Sequence, residues 1–382
     1  MDLSGSDQWS SSAPSRCDQY DLFFPGQDGN HVCRIPVLLT TKAGVLLACC
    51  EARKGHRGDV AETELLIRRS PDLGKTWSRP EVVATEHHTT CGNPVLVQDP
   101  LTGIVWLLFC KSPADLDKDK LRENRSFRTV SVTSSDDDGR TWDRPRDITS
   151  EIRRPEWSWC ATGPGNGIAL TTGRLIIPCY HQVNIKGNRS DPSYSHIVYS
   201  DDHGQTWLVG GTADRDTNES SVAESVDGHL YLNCRNIQGK GIGNYRAVAW
   251  SVDDGETFSP VVHDAGLPEP VCQACILRFT ARPRHDRNRV LFSNPGGIRG
   301  GKNGRHHLTI RLSYDECRTW PVARVLYHRA AGYSSLAILP DMTIGCLYER
   351  GESDWPAERL TFARFNLQWL TDGADALTDP RT

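Results

Sequence analysis

Side chains with chemistry to offer stand at scattered points of this 382-residue chain. Arg34 lies in the run Cys33-Arg-Ile-Pro36, Arg235 ends the strand-like run Tyr231-Leu-Asn-Cys, and Arg305 precedes His-His-Leu-Thr-Ile-Arg. A guanidinium fork binds a carboxylate through two parallel hydrogen bonds and does not deprotonate, so this residue type suits a fixed anion site. Taken alone, each would be read as a surface arginine. Tyr333 sits between Gly332 and Ser334, a loop-like setting where functional side chains concentrate. The ordinary fate of a lone tyrosine is core packing with its hydroxyl satisfied. Asp59 lies on the polar run Lys54-Gly-His-Arg-Gly-Asp-Val, where an aspartate is ordinarily just solvated. Metal chemistry is disfavoured. Cys272-x-x-Cys275 has no second pair, and the neighbours His87-His88 and His306-His307 are expected on opposite strand faces. Neither metal nor cofactor is expected.

What must position these residues is announced by a repeat. The segments beginning at Ser70, Ser135, Ser200, Ser251 and Ser313 share the pattern S-x-D-x-G-x-T-W, with Phe258 replacing Trp in the fourth and Cys317 replacing Gly in the fifth. The Asp carboxylate accepts backbone N–H groups within a tight hairpin, Gly supplies positive φ, and the aromatic ring packs on the flanking strands. A calcium loop is the poorer reading, because the twelve-position ligand set with its terminal Glu is missing. Strand-like runs such as Glu64-Leu-Leu-Ile-Arg-Arg69 and Leu308-Thr-Ile-Arg-Leu312 precede the turns, and no long helical period competes. The reading is an all-β propeller with about one four-stranded blade per repeat. Cys317 would have to adopt positive φ, so a distorted fifth turn is expected.

These turns, with Cys33-Arg34-Ile35-Pro36, Cys50-Glu-Ala-Arg53, Gly58-Asp59, Gly92-Asn93-Pro94, Thr162-Gly-Pro-Gly165, Asn233-Cys-Arg235-Asn236, Gly332-Tyr333-Ser334 and Leu347-Tyr348-Glu349-Arg350, resemble the sialidase (neuraminidase) family over roughly residues 30 to 365. The resemblance implies a six-bladed β-propeller with a sixth blade supplied by ring closure. It implies an exo-sialidase acting with retention on sialylated oligosaccharides, glycoproteins or glycolipids. Arg34, Arg235 and Arg305 would clamp the substrate carboxylate, with Arg299 or Arg311 as rivals of Arg305. Tyr333 resembles the family nucleophile. An Asp or Glu nucleophile would face like-charge repulsion from the carboxylate on the anomeric carbon, about 4 kcal/mol at ~4 Å and an effective dielectric of ~20, or roughly a thousandfold in rate. A neutral phenol avoids this if a base takes its proton. Glu224, just before the Ser-Val-Asp-Gly turn, resembles that base, with Glu219 as its competitor. Asp59 resembles the acid/base. Arg53 resembles a residue near the sugar 4-position, and Glu349 resembles the carboxylate that orients Arg34, which requires the two chain ends to meet. Asn93 and Tyr180 are expected near the N-acetyl or glycerol groups. Trp157 and Trp159 are either pocket wall or core.

Composition bounds the rest. A net charge of −4 without a basic run gives no nucleic-acid footprint. Residues Met1 to Pro14 show no signal-peptide core, and no stretch has the length of a transmembrane span. Thirteen cysteines scattered through strand-like runs read as buried free thiols, so a cytoplasmic monomer is expected. The N-x-S triplets at Asn124, Asn188 and Asn218 carry no meaning there. The division expected is a polar extension over 1–20, one propeller domain over 21–370 and a tail over 371–382. Two other readings fit less of the pattern: a non-catalytic sialic-acid-binding propeller, and a glycosidase or lyase of this fold acting on another acidic sugar.

Overall fold

The computed structural model describes residues 14–114, 128–183, 191–237, 245–296 and 304–378. Six four-stranded antiparallel units follow one another along the chain. Blade I comprises Val32–Thr40, Leu46–Arg53, Thr63–Ser70 and Glu81–Ala84. Blade II comprises Thr89–Gln98, Val105–Pro113, Thr129–Ser135 and Arg146–Asp147. Blade III is built on Trp157–Thr162, Leu175–Val183, Ser193–Ser200 and Leu208–Arg215. Blade IV holds Thr217–Glu224, Leu230–Asn236, Tyr245–Ser251 and Val262–Pro268. Blade V holds Cys275–Thr280, Arg289–Pro295, His306–Ser313 and the first part of the long strand Val322–Ile338. The second part of that strand opens blade VI, followed by Ile344–Arg350 and Arg359–Phe365.

Blade VI is completed by the start of the chain. Cys17–Phe23 pairs antiparallel with Arg359–Phe365 as the outer strand. The expected extension over 1–20 therefore yields Cys17 to Tyr20 to the sheet. The expected tail also folds in part, since buried Asp375 accepts bonds from Arg289 Nε at 2.8 Å and Nη2 at 2.6 Å. The five S-x-D-x-G turns join the third and fourth strands of blades I to V. Blade VI has no such turn because its fourth strand arrives from the other end of the chain.

Packing closes the ring. Each adjacent blade pair shares its own apolar cluster, for example Leu47, Phe109 and Leu107 between blades I and II, and Phe23, Leu38 and Phe362 between blades VI and I. Polar ties also join segments of different blades, with Asn166 Nδ2 donating to Leu336 O and Gln273 spanning Pro164 O and Ser334.

The turns are built alike. In the first, Thr76 donates its N–H to Asp72 Oδ1 at 2.9 Å and its hydroxyl to Oδ2 at 2.7 Å, while Gly74 N–H reaches Ser70 Oγ at 2.9 Å. These bonds occupy both carboxylate oxygens. The fifth turn is not distorted as expected. Cys317 takes φ 66° and keeps the same bonds, its N–H reaching Ser313 Oγ at 3.0 Å. The thiol is buried among Tyr231, Phe292 and their neighbours, which offsets a left-handed residue costing about 1 kcal/mol.

The histidine pairs also depart from expectation. His88 and His307 have φ 53° and 57°, so neighbouring rings touch instead of facing opposite ways. Among the described residues no group of three or more His, Cys, Asp or Glu is arranged to hold a metal.

Candidate active site

Of the expected residues, Arg34, Arg53, Asp59, Asn93, Tyr180, Arg235 and Tyr333 line a cavity of about 370 Å³ together with Glu219, whereas Arg305, Glu349 and Glu224 are not among its lining residues. Apart from Asp59, on the loop after Leu46–Arg53, these lining residues stand on first or second strands of their blades, and the ring also brings Arg34 against Glu349, 315 positions away.

Glu349, fully buried, anchors one side. Its Oε1 accepts from Arg34 Nε at 3.1 Å and Ile35 N–H at 3.0 Å, and its Oε2 accepts from Arg34 Nη2 at 3.2 Å and Tyr333 N–H at 3.1 Å. A Cβ at Gly332 would lie 2.2 Å from Oε2, so only glycine lets this carboxylate reach the Tyr333 backbone. Burial alone would lower the Arg34 pKa, but Glu349 beside it drives it above the usual arginine range. Glu349 thus bonds Arg34 through both Nε and Nη2.

The same device recurs in blade I, where the sequence reading assigned Glu51 no role. Buried Glu51 accepts from Arg53 Nε at 2.9 Å and Nη2 at 2.6 Å through Oε2, and from Asn93 N–H at 2.8 Å through Oε1. Gly92 leaves it room, since a Cβ there would be 2.7 Å from Oε1. The signal lay in the run Glu51-Ala-Arg53, a carboxylate and a guanidinium two residues apart and so on one face of a strand. Arg53 Nη1 then reaches Asp59 Oδ1 and Arg57 O, both at 2.9 Å. Asp59 is more than half exposed at the rim, 3.7 Å from Arg34 Nη1. Asn93 Nδ2 donates to Thr162 O at 3.0 Å and lies 3.2 Å from the Tyr180 hydroxyl.

At the centre stands Tyr333, buried, its hydroxyl 2.5 Å from Glu219 Oε1. Glu219 Oε2 takes Arg235 Nη1 at 2.7 Å, and the same Nη1 is 3.2 Å from the Tyr333 oxygen. Glu224 does not meet Tyr333. It lies at the far end of Thr217–Glu224, where its carboxylate accepts from Thr171 N–H and hydroxyl. Five residues along a strand span about 16 Å, and an odd step turns a side chain to the other face, so one strand cannot aim both carboxylates at Tyr333. Burial first, and then the Glu219 charge, hold the Tyr333 pKa well above its ordinary value against the opposing pull of Arg235 and Arg305. The phenol is therefore neutral until a base takes its proton.

Arg305 stands 5.6 Å from the Tyr333 ring centroid, as Arg34 does, and donates to Val271 O at 2.7 Å. Arg311 is turned away onto Asn294 Oδ1, and burial lowers its pKa to about 10. Arg299, Asn124 and Asn188 lie outside the described residues. Trp159 walls the cavity, its ring under Arg128 at 4.7 Å and its Nε1 on Gln182 Oε1 at 2.8 Å. Trp157 instead stacks on His181 in the core, 3.7 Å between centroids. Asn218, Arg128 and Gln182 line the cavity without having been singled out for it.

Fold and site together define a class: a six-bladed propeller whose cavity holds arginines around a tyrosine in contact with a carboxylate. A family model described as a BNR repeat-like domain matches residues 44–346. The exo-alpha-sialidase of Aspergillus fumigatus is 31% identical over 380 residues, covering 90% of this chain and 86% of that protein. The sialidase of Micromonospora viridifaciens is 34% identical over 372 residues, covering 92% of this chain. The chain spans 54% of the length of that protein and 61% of the Bacteroides fragilis sialidase. The solved structure of the Hadza microbial sialidase Hz136 superposes with a TM-score of 0.82 at 28% identity, over 92% of this chain and 69% of that one. This chain belongs to the sialidase family.

Proposed function

We propose that the chain is an exo-α-sialidase that hydrolyses terminal sialic acids from oligosaccharides, glycoproteins or glycolipids with retention. The observation that carries the reading is the contact of the Tyr333 hydroxyl with Glu219 inside an arginine-lined cavity. Arg34, Arg235 and Arg305 bind the C1 carboxylate, each fork already held by Glu349, Glu219 or the Val271 carbonyl. Tyr333 attacks the anomeric carbon as Glu219 takes the phenolic proton, and Asp59 at the rim protonates the departing oxygen. In the second half Asp59 deprotonates water, which displaces Tyr333, and Glu219 returns the proton to the phenolate. Arg53 and Asn93 face the ring substituents, and Tyr180 with Trp159 forms the wall for the acyl or glycerol group. The thirteen free cysteines suit a reducing compartment, and a cytoplasmic monomer is part of the proposal. Hydrolysis of a 4-methylumbelliferyl sialoside tests it: turnover is expected, together with its loss in Tyr333→Phe. Tight sialic acid binding without turnover would favour a lectin, and neither binding nor turnover would leave another acidic sugar as the substrate.

A further inference from the structure

A further carboxylate–arginine pair lies behind the site, away from the cavity. Glu269 and Arg246 are both fully buried, 2.6 Å apart between Oε2 and Nη1. Glu269 Oε2 also accepts the Asn236 N–H at 3.0 Å, and its Oε1 accepts the Cys272 N–H at 2.9 Å. Arg246 donates in turn to Cys272 O at 2.6 Å and to Asn233 Oδ1 at 2.7 Å. Both peptide groups of Cys272 are thus fixed by one ion pair.

The segments tied in this way carry the site. Asn236 directly follows Arg235. Val271, just before Cys272, has φ 57° and presents the carbonyl that holds Arg305. The Cys272 side chain packs with Ile35 and Tyr333, and the next residue, Gln273, bonds the N–H and carbonyl of Ser334. No atom of Glu269 or Arg246 lines the cavity. A buried pair is costly to form and often replaceable by apolar residues at no loss of stability, so stability alone is a weak reason for its presence.

We propose that the Glu269–Arg246 pair is a positioning device that sets the spacing of Arg235 and Arg305 around Tyr333, and so the affinity for the substrate carboxylate. The inference rests on the sialidase reading above. Without the Glu269 charge, the loop over 269–272 and the chain after Arg235 lose their common anchor, and the two forks no longer converge on one carboxylate. The effect falls on carboxylate binding in both ground state and transition state, hence on KM more than on kcat.

The test compares Glu269→Gln with Asp375→Asn, which also breaks a buried ion pair but one between Arg289 and the C-terminal segment. Thermal midpoints, KM and kcat on a sialoside, and calorimetric affinities for the 2,3-dehydrated sialic acid and its C1 amide are measured for each. Glu269→Gln is expected to raise KM about tenfold with kcat changed less than about threefold, and to shrink the preference for acid over amide by a similar factor. Asp375→Asn is expected to lower the midpoint and leave KM and that preference as they are. A Glu269→Gln enzyme with wild-type KM and wild-type preference overturns the inference, whatever its midpoint. If it lacks a cooperative unfolding transition, Arg246→Lys is read in the same way, and a wild-type KM there overturns it equally. A wild type that binds the acid but turns over no sialoside sinks the sialidase reading alone, because the acid–amide preference still reports on the positioning role.

Discussion

Glu219 and Tyr333, 114 positions apart in the chain, meet at 2.5 Å through one carboxylate oxygen while the other holds Arg235. One residue thus serves as hydrogen-bond acceptor for the phenol and counter-ion for a guanidinium. Taking the phenolic proton would neutralise Glu219, and the neighbouring Arg235 cation is then placed to stabilise the phenolate.

Glu219→Gln is therefore expected to lower kcat by about 10² to 10⁴-fold, the usual range for a positioned proton acceptor. Glu224→Gln, on the outer stretch of the same strand against Thr171, is expected to stay within about twofold of wild type. Steady-state kinetics on one sialoside checks both, and equal losses would remove Glu219 from the role of base.

Asp59 lies at the rim, more than half exposed, with Arg53 as its closest cation. Asp59→Asn is expected to cut kcat/KM on natural sialosides by about a hundredfold or more and far less on substrates with strongly acidic leaving groups, which depart without protonation. A plot of rate against leaving-group pKa that steepens in the variant is the readout. An unchanged slope would contradict an acid at this position.

Glu349→Gln keeps the shape of the orienting group and removes its charge beside Arg34. Breaking such a buried pair costs about 3 kcal/mol of stability. Denaturant unfolding and KM measured together should show a loss of that order and a KM raised at least about tenfold. Loss of stability with unaltered KM would make the pair purely structural.

Gly204 and Gly173 both have positive φ, 90° and 96°, but only a Cβ at Gly204 meets a neighbour, the Trp106 ring at 2.2 Å. Gly173→Ala is expected to cost about 1 kcal/mol from backbone strain alone. Gly204→Ala adds a clash between blades II and III and should cost about 3 kcal/mol. Urea titration of the two proteins distinguishes them, and equal costs would mean the blades can part without penalty.

Acid should loosen the turns. At Asp137 partial burial opposes ionisation, but the Thr141 N–H and hydroxyl, the Ser135 hydroxyl and the Arg140 N–H outweigh it and bring the pKa down to about 2. A pKa depressed in the folded state gives stability that is complete above the unfolded value near 3.9 and is lost as pH falls towards 2. Stability is expected to drop over that window, less steeply in Asp137→Asn, as read from thermal midpoints against pH.

The turns were legible because each is closed by its own residues. Ser, Asp, Gly and Thr bond one another within seven positions, so the pattern appears as a string and marks five blades. Arg34, Arg235, Tyr333 and Asp59 could be singled out by residue type and motif. The missing sixth turn was legible only as an absence; its cause, a fourth strand supplied by Cys17–Phe23, is a pairing across 337 residues of chain or more. Glu51, Glu269 and Arg246 escaped notice because a buried charge that bonds backbone groups 42, 33 or 26 positions away leaves no periodic trace in its own segment.

The sequence by itself determined the local chemistry: the hairpin turns, the strand-rich blades, and the supply of arginines, carboxylates and a tyrosine. Only the tertiary structure decided which carboxylate meets the tyrosine. Glu219 and Glu224 share a strand and a residue type, and one sits at the cavity while the other faces Thr171 because blade IV packs in one register against its neighbours. Contacts between blades depend on the closing of the ring, and that closure is a property of the whole chain rather than of any one segment.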